Sequence, residues 1–574
     1  MFFNKEFKMK KNLFVNLLLF TVYLGAFAQS RAVSIMPALG VFRHEATLRA
    51  GDRHLYNITV SNRTELVVYT IIPTGSNLRT LITITDTAGN QVYIEGSTSI
   101  IDAGSYTVEV SGRDNTSGNY TLEAHTSNLI FVEGSGLIQK LVWLYRNVDS
   151  NSIYIMELTA NESIGPQTFK FDGKNRIQIR FTSSGVERII SLSENGTLFT
   201  VESGVILRLS NGVTLRGLNN NNASLVIVNK DGQLQMRSGS KITGNTIVQY
   251  TGRGSGGVQI NNATFDMTGG EISGNTSSNG GGVYINGTFN MSGGEISGNV
   301  TDYGDGGGVY LEERFSKFYM AGGKISGNTG SGVGAEVTTF GVSSNTSVIT
   351  MTGGEISGNR DGGVRAMVFT MTGGEVFGNR GFRGVDARVF TMSGGVVSRN
   401  SDGGVSADNF TMNGGEIFGN TSTYGAGGVS ASIFTLNNGR ISGNRTTDSD
   451  GGGVAVRGTF TMNGGEISGN TTSKVGGGVY ISGNGIFNML GGEIFGNTAS
   501  SGGGAYIRGS MTKTGGIIYG NTQSDNKSNR ATGGNNNGHA VYVHGTNVNR
   551  RESTTEAGDN LDSKVNGIAG GWGY

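Results

Sequence analysis

The phrase GGEISGN, with small variants, recurs between residues 239 and 521, and few folds can absorb such a repeat. Its closing asparagine falls at Asn245, Asn275, Asn299, Asn328, Asn359, Asn379, Asn400, Asn420, Asn444, Asn470, Asn497 and Asn521, at intervals of 20 to 31 residues. A constant phrase with elastic spacing describes fixed strands joined by loops of variable length. Each unit holds three short pairs: Val-x-Ile, as in Val283 and Ile285; Phe-x-Met, as in Phe289 and Met291; and the isoleucine and asparagine of the phrase, as in Ile296 and Asn299. Alternation with period two marks strands with one buried face, and no period of 3.6 fits the units. Between the members of each pair the residue varies (Tyr284, Arg365, Asp386, Ser430), which suits a position facing water. Strands so short cannot stand alone, whereas stacked coils pair each strand with its equivalent in the next coil. The expected interior is a methionine ladder through Met267, Met291 and Met392, a phenylalanine ladder through Phe265, Phe289 and Phe390, and a column of asparagine amides. Glycine supplies 99 of 574 residues against 3 prolines, with 15% charged residues. A disordered glycine-rich chain would carry more proline and charge, so the glycines read as corners between strands.

These units resemble the right-handed parallel β-helix repeats of secreted bacterial proteins, and their glycine-asparagine style is similar to that of chlamydial polymorphic membrane protein repeats. The expected fold is all-β: a right-handed parallel β-helix with three short strands per coil, preceded by a small antiparallel β-sandwich. Regular repeats are placed at 239–547, and a polar tail at 548–574. Residues 127–238 read as a helix that caps the open end of the coil, with Leu137, Leu141, Leu144 and Val148 on one face, followed by less regular coils. Residues 45–126 show alternating runs such as Leu55–Val60, Leu81–Thr85 and Tyr106–Val110, split by turn signals at Gly89-Asn90 and Gly112. Ala50-Gly51-Asp52, Ala103-Gly104-Ser105-Tyr106 and Ser117-Gly118-Asn119-Tyr120 within this stretch resemble the bacterial pre-peptidase C-terminal domain, which implies an accessory sandwich and no catalysis.

Export is the expected address. Lys8, Lys10 and Lys11 precede the apolar run Leu13 to Phe27, and Ala26-Phe27-Ala28 offers a small-x-small cleavage site, so residues 1–28 read as a signal peptide. No later stretch has the length and apolarity of a membrane span, and no amphipathic strand series suggests an outer-membrane barrel. Destinations consistent with this are the extracellular space, the outer cell surface and the periplasm. Cysteine is absent, which excludes disulfides, thiolate metal sites and a lipid-attachment cysteine. A net charge of +1 gives no footprint for nucleic acid.

Chemistry has few footholds. Glu271, Glu295, Glu355, Glu375, Glu416, Glu466 and Glu493 repeat at one outward position, interrupted by Lys324 and Arg440. Repetition marks scaffold, with a divalent-cation ladder as the sharper alternative. Asp361, Arg365, Asp386 and Asp402 lie in the shortest coils and offer acid–base groups of the kind a polysaccharide lyase needs, although Asp-Gly-Gly is also ordinary turn chemistry. Thr350, Thr370, Thr391, Thr411, Thr435 and Thr461 form an outward threonine column, followed by Thr352, Thr372, Ser393, Asn413, Asn437 and Asn463. That face resembles those of ice-binding β-helices. The five histidines are scattered in sequence, with His539 and His544 the only near pair, and no cofactor or metal site is expected. The reading that follows is a non-catalytic exported scaffold that contacts glycans or cell-surface proteins. A carbohydrate-active enzyme of the pectin-lyase-like superfamily is the alternative, and an acidic and basic cluster in a loop-framed groove would favour it.

Overall fold

A computed structural model describes residues 41–60, 64–93, 99–247, 254–302, 305–312, 316–335, 346–520, 527–533, 538–544, 549–551 and 560–561. The signal-peptide segment, most of the polar tail and Asn521 lie outside the described residues. The chain divides into two compact units. One comprises the sandwich to Glu133 with Lys140–Met156 and Gly173–Ile179; the other comprises Gly134–Gln139, Glu157–Asp172 and the chain from Arg180 onward.

The second unit is a parallel β-helix of about 15 turns. Its register is the one the apolar pairs dictate. Val258 pairs with Val283, Phe265 with Phe289, Met267 with Met291 and Ile272 with Ile296. In shorter coils the same partnership joins Phe369, Thr370 and Met371 to Phe390, Thr391 and Met392. One residue of slip would turn every apolar side chain to water, so the pattern fixes the pairing. Phenylalanine rings stack almost parallel, 4.7 to 4.9 Å apart from Phe390 through Phe487, close to the ~4.8 Å strand spacing. Each methionine seats against the next coil's second corner glycine. A Cβ on Gly374 would lie 2.6 Å from Met351 Cε, and φ there is +83°. Leu436 takes one place in this column, between Met412 and Met462.

The asparagine column is continuous and fully buried. From Asn275 to Asn497, each backbone N–H and each Nδ2 donates to Oδ1 of the next asparagine, and Nδ2 also donates to a carbonyl of an earlier coil. The column starts earlier than the phrase, at Asn221, whose Nδ2 donates to Asn245 Oδ1 at 2.9 Å. After Asn497 the next described member of the column is Asn529, which accepts from Asn497 and in turn donates to the Ile494 and Tyr519 carbonyls. Position within the coil decides this: Arg530–Ala531, directly after Asn529, pairs with Thr498–Ala499. Those residues belong to a fourth short strand absent from the three-strand expectation. It follows the asparagine in the longer coils, at Thr421–Ser422, Arg445–Thr446, Thr471–Thr472, Thr498–Ala499 and Arg530–Ala531.

In the first unit two four-stranded antiparallel sheets enclose one core. One sheet is ordered Arg53–Val60, Gly104–Gly112, Thr80–Asp86, Gln91–Tyr93; the other joins Val41–Leu48, Gly118–Phe131, Thr64–Ile71 and Ser99–Ile101. Alternate residues Tyr56, Ile58, Ile82, Ile84, Val108 and Val110 face Leu66, Val68, Leu122 and Ala124. The first strand begins at Val41 and the last runs to Phe131, so the sandwich exceeds the 45–126 stretch at both ends. Tyr56 and Tyr120, one from each sheet, share a 2.6 Å hydroxyl hydrogen bond, and His54 Nδ1 lies 2.7 Å from the Tyr120 hydroxyl. Burial holds the His54 imidazole below its usual pKa and pushes Tyr120 up. The helix Leu137–Asn147 forms as its periodicity requires, with Leu137, Leu141 and Leu144 buried.

Candidate functional site

The central residue of the first strand points outward in every coil, and its identity shapes one face of the β-helix. The column reads Tyr284, Tyr310, Gly334, Arg365, Asp386, Ser406, Ser430, Ala455, Tyr480, Tyr506 and Tyr542 in consecutive rungs. Tyrosines stack at both ends: Tyr284 on Tyr310 at 5.6 Å, and Tyr506 on Tyr542 at 5.0 Å. Between them, Ser406, Ser430 and Ala455 leave three successive rungs almost without side chain. The surface dips there over about 14 Å, three steps of ~4.8 Å. Coil length changes at the same place. The interval between asparagines is 20 residues from Asn400 to Asn420, then 24, 26 and 27. The extra residues precede the first strand and stand up as a wall. A shallow floor beside a raised wall makes a groove of about 470 Å3.

Four charged side chains line the groove crosswise. Arg383 and Asp450 precede their first strands and belong to one wall; Asp408 and Arg457 come directly after the stretches Val405–Ala407 and Val454–Val456 and belong to the other. Each wall therefore carries one carboxylate and one guanidinium. Among the described residues no salt bridge joins any of the four to another group. The raised wall is fixed by its own serines: the Gly425 N–H donates to Ser422 Oγ at 3.0 Å, and the Ala426 N–H to Ser430 Oγ at 3.2 Å. Tyr424 projects from this loop with 89% of its surface exposed. At the far end Tyr480 closes the floor. Burial raises its pKa, and the neighbouring Asp450 carboxylate adds to the effect. Sequence reasoning passed over Ser406, Ser430 and Ala455 because variation at an outward position looks like indifference. The readable signal was a run of small residues where neighbouring coils place tyrosine, beside a step in coil length.

Of the acid–base residues singled out from sequence, Arg365 and Asp386 are register partners in adjacent rungs. Arg365 reaches past Gly334, which has no side chain, and pairs with Asp305 at 2.7 Å. Asp361 and Asp402 occupy equivalent turns two rungs apart, about 9.6 Å, with Phe382 at that place in the intervening coil. Asp386 stands between Arg365 and Ser406 at the shallow end of the groove. The glutamates do form one outward column, broken by Lys241, Lys324, Val396 and Arg440. Lys241–Glu271 at 3.2 Å, Lys324–Glu355 at 3.2 Å, Arg440–Glu466 at 3.1 Å and Lys527–Glu493 at 3.1 Å give most carboxylates a cation. The Ser273 hydroxyl and Lys241 hold Glu271 below the usual carboxylate range. Glu295, Glu375 and Glu416 complete the column. Among the described residues no group of three or more histidines and carboxylates converges as metal ligands. His44 and His54 are electrostatic neighbours in the sandwich, where His44 packs edge-on to Tyr56 at 5.6 Å. The threonine column is in register, and Asn463, Asn437 and Asn413 beside it are linked by 2.7 Å hydrogen bonds.

Fold and groove together define a parallel β-helix with a lateral polar and aromatic cleft, carried behind a β-sandwich. No protein-family model matches the chain, and no curated protein matches its sequence. Among solved structures it is similar to the pre-peptidase C-terminal domain of a collagenase from Bacillus anthracis, at 14% identity and a TM-score of 0.14, over 17% of this chain and 95% of that one. It is also similar to the catalytic domain of a GH87 α-1,3-glucanase in complex with nigerose, at 10% identity and a TM-score of 0.22, over 82% and 83% of the two chains. A third likeness is to the catalytic unit of a thermostable GH87 α-1,3-glucanase from Streptomyces thermodiastaticus, at 11% identity and a TM-score of 0.19, over 83% and 93%. No helix among the described residues is long and apolar enough to cross a membrane.

Proposed function

We propose that this is an exported β-helix protein that binds polysaccharide in the groove between residues 383 and 482. The groove's lining carries the reading: Arg383, Asp408, Asp450 and Arg457, none of them in a salt bridge among the described residues, beside the exposed ring of Tyr424. A sugar ring presents adjacent hydroxyls, which a carboxylate accepts from and a guanidinium donates to in pairs, and an apolar C–H face that packs on an aromatic ring. An open trough several rungs long suits a chain of such rings better than an enclosed small molecule. The signal-peptide pattern at residues 1–28 supports export, and the uniform coils supply a rigid support.

Carbohydrate cleavage is a second reading, favoured by the two carboxylates on opposite walls. A hydrolase needs such a pair as acid and base. Binding and cleavage separate in one series. Full-length protein is screened on a glycan array, and hits are measured by calorimetry and by release of reducing ends. Binding without release is the expected result. Ser430→Tyr, which places in the trough the side chain found two rungs on at Tyr480, weakens binding about tenfold or more, equivalent to 1.4 kcal/mol, without lowering the melting temperature. Unchanged affinity in that variant removes the groove as the site, and sustained release of reducing ends replaces the binding reading with the enzymatic one.

A further inference from the structure

We infer that the groove selects an uncharged polysaccharide and discriminates against polyuronates; the inference rests on the glycan-binding reading above. The charges that matter are those in no salt bridge among the described residues. Arg365 is neutralised by Asp305 at 2.7 Å, so it adds no net field to the shallow end. What remains is Arg383 and Asp450 on one wall, and Asp408 and Arg457 on the other. Two carboxylates meet two guanidinium groups, and the sum is zero. The signs also alternate along the axis. Arg457 lies two rungs beyond Asp408 on one wall, and Asp450 three rungs beyond Arg383 on the other.

A polyuronate carries a carboxylate on every ring. Whatever its register along this trough, a ring carboxylate placed beside one guanidinium brings a neighbouring ring within a Debye length (about 8 Å) of an aspartate. Attraction and repulsion then cancel while the desolvation cost of each carboxylate persists. A neutral chain meets no such conflict. Its hydroxyls donate to Asp408 and Asp450 and accept from Arg383 and Arg457, so every charged group serves as a hydrogen-bonding group instead of a counter-ion. Ser406 and Ser430 on the floor add hydroxyls that both donate and accept. A groove built to hold an acidic polymer would show the opposite composition, with guanidinium and ammonium groups in excess and the carboxylates absent.

The experiment is affinity electrophoresis of the full-length protein in gels containing laminarin, dextran, xylan or galactomannan, against gels containing alginate or polygalacturonate. Each is run at low and at high sodium chloride. Retardation by a neutral polymer, changed less than twofold by salt, is the expected result, with Asp408→Asn and Asp450→Asn each losing tenfold or more while melting as the parent does. Retardation by the uronates alone, weakened by salt, overturns the selectivity inference and leaves glycan binding standing. Absence of retardation in every gel overturns the binding reading itself, and with it this inference.

Discussion

Asn400 shows what one repeated residue does for this fold. Its Oδ1 accepts from the Asn379 N–H at 3.0 Å and from Asn379 Nδ2 at 3.1 Å, while its own Nδ2 donates to the Val376 carbonyl at 3.1 Å and to Asn420 Oδ1 at 2.9 Å. A side chain placed this way satisfies the corner where the chain leaves the third strand, a place where regular pairing lapses. Asn400→Ala strands two buried N–H groups of Asn379, at roughly 1–3 kcal/mol each, so a loss of about 3 kcal/mol is expected. Thermal melting followed by circular dichroism checks it, and a melting temperature equal to the parent's would show the column to be ornamental. Glutamate side chains a few residues upstream behave differently. They are partly exposed and paired with lysine or arginine, so single charge removals there belong in the range of surface ion pairs, below about 1 kcal/mol.

At the scale of strands and corners, stacking makes neighbours of residues whole coils apart. The Met351 methyl fills the space that a Cβ on Gly374 would need, and the glycine's φ of +83° disfavours any side chain. Gly374→Ala is expected to cost about 3 kcal/mol, from backbone strain of ~1–2 kcal/mol and overpacking of ~1–3 kcal/mol. Met351→Ala opens a cavity worth roughly 2–5 kcal/mol, and the double variant should cost less than the sum, because one change makes room for the other. Strict additivity in unfolding measurements would refute that contact. The parallel rings of Phe390 through Phe487 are likewise imposed: isolated aromatic pairs favour offset or edge-on geometry, but identical register leaves face-to-face stacking. Periodicity made all of this legible, since Val283, Phe289 and Ile296 sit where alternation puts them. It could not mark Asn529 as a rung of the column, because Lys527-Ser528-Asn529-Arg530 carries no trace of the glycine phrase. Nor could it mark the groove. Ser406, Ser430 and Ala455 are ordinary residues whose meaning lies only in being adjacent, and adjacency arises from coils that wind 24 or 25 residues between them.

Taken whole, the β-helix is a set of interchangeable turns interrupted by one specialised stretch. Removing residues 360–379 excises one turn and joins Asn359 to Arg380, so the asparagine column, the strands and the groove walls all close again. Nearest-neighbour stacking predicts a folded protein and, under the proposed glycan-binding function, an affinity within about twofold of the parent's. Circular dichroism and calorimetry decide it; a folded variant without affinity would return Asp361 and Arg365 to the site. The asparagine column carries one more consequence, which concerns direction. Every Nδ2-to-Oδ1 bond from Asn275 to Asn497 points toward the C-terminus. The amide dipoles therefore add head to tail as in an α-helix, and each bond polarises the next. A partly wound column ends in two waiting donors, the N–H and Nδ2 of its last asparagine, and the next turn brings the oxygen that takes both. Winding from the N-terminus is thus downhill at each step. Asn529 leaves no donor waiting, since its N–H donates to the Gly520 carbonyl and its Nδ2 to the Ile494 and Tyr519 carbonyls, so this rung is a polarity terminator as well as a corner.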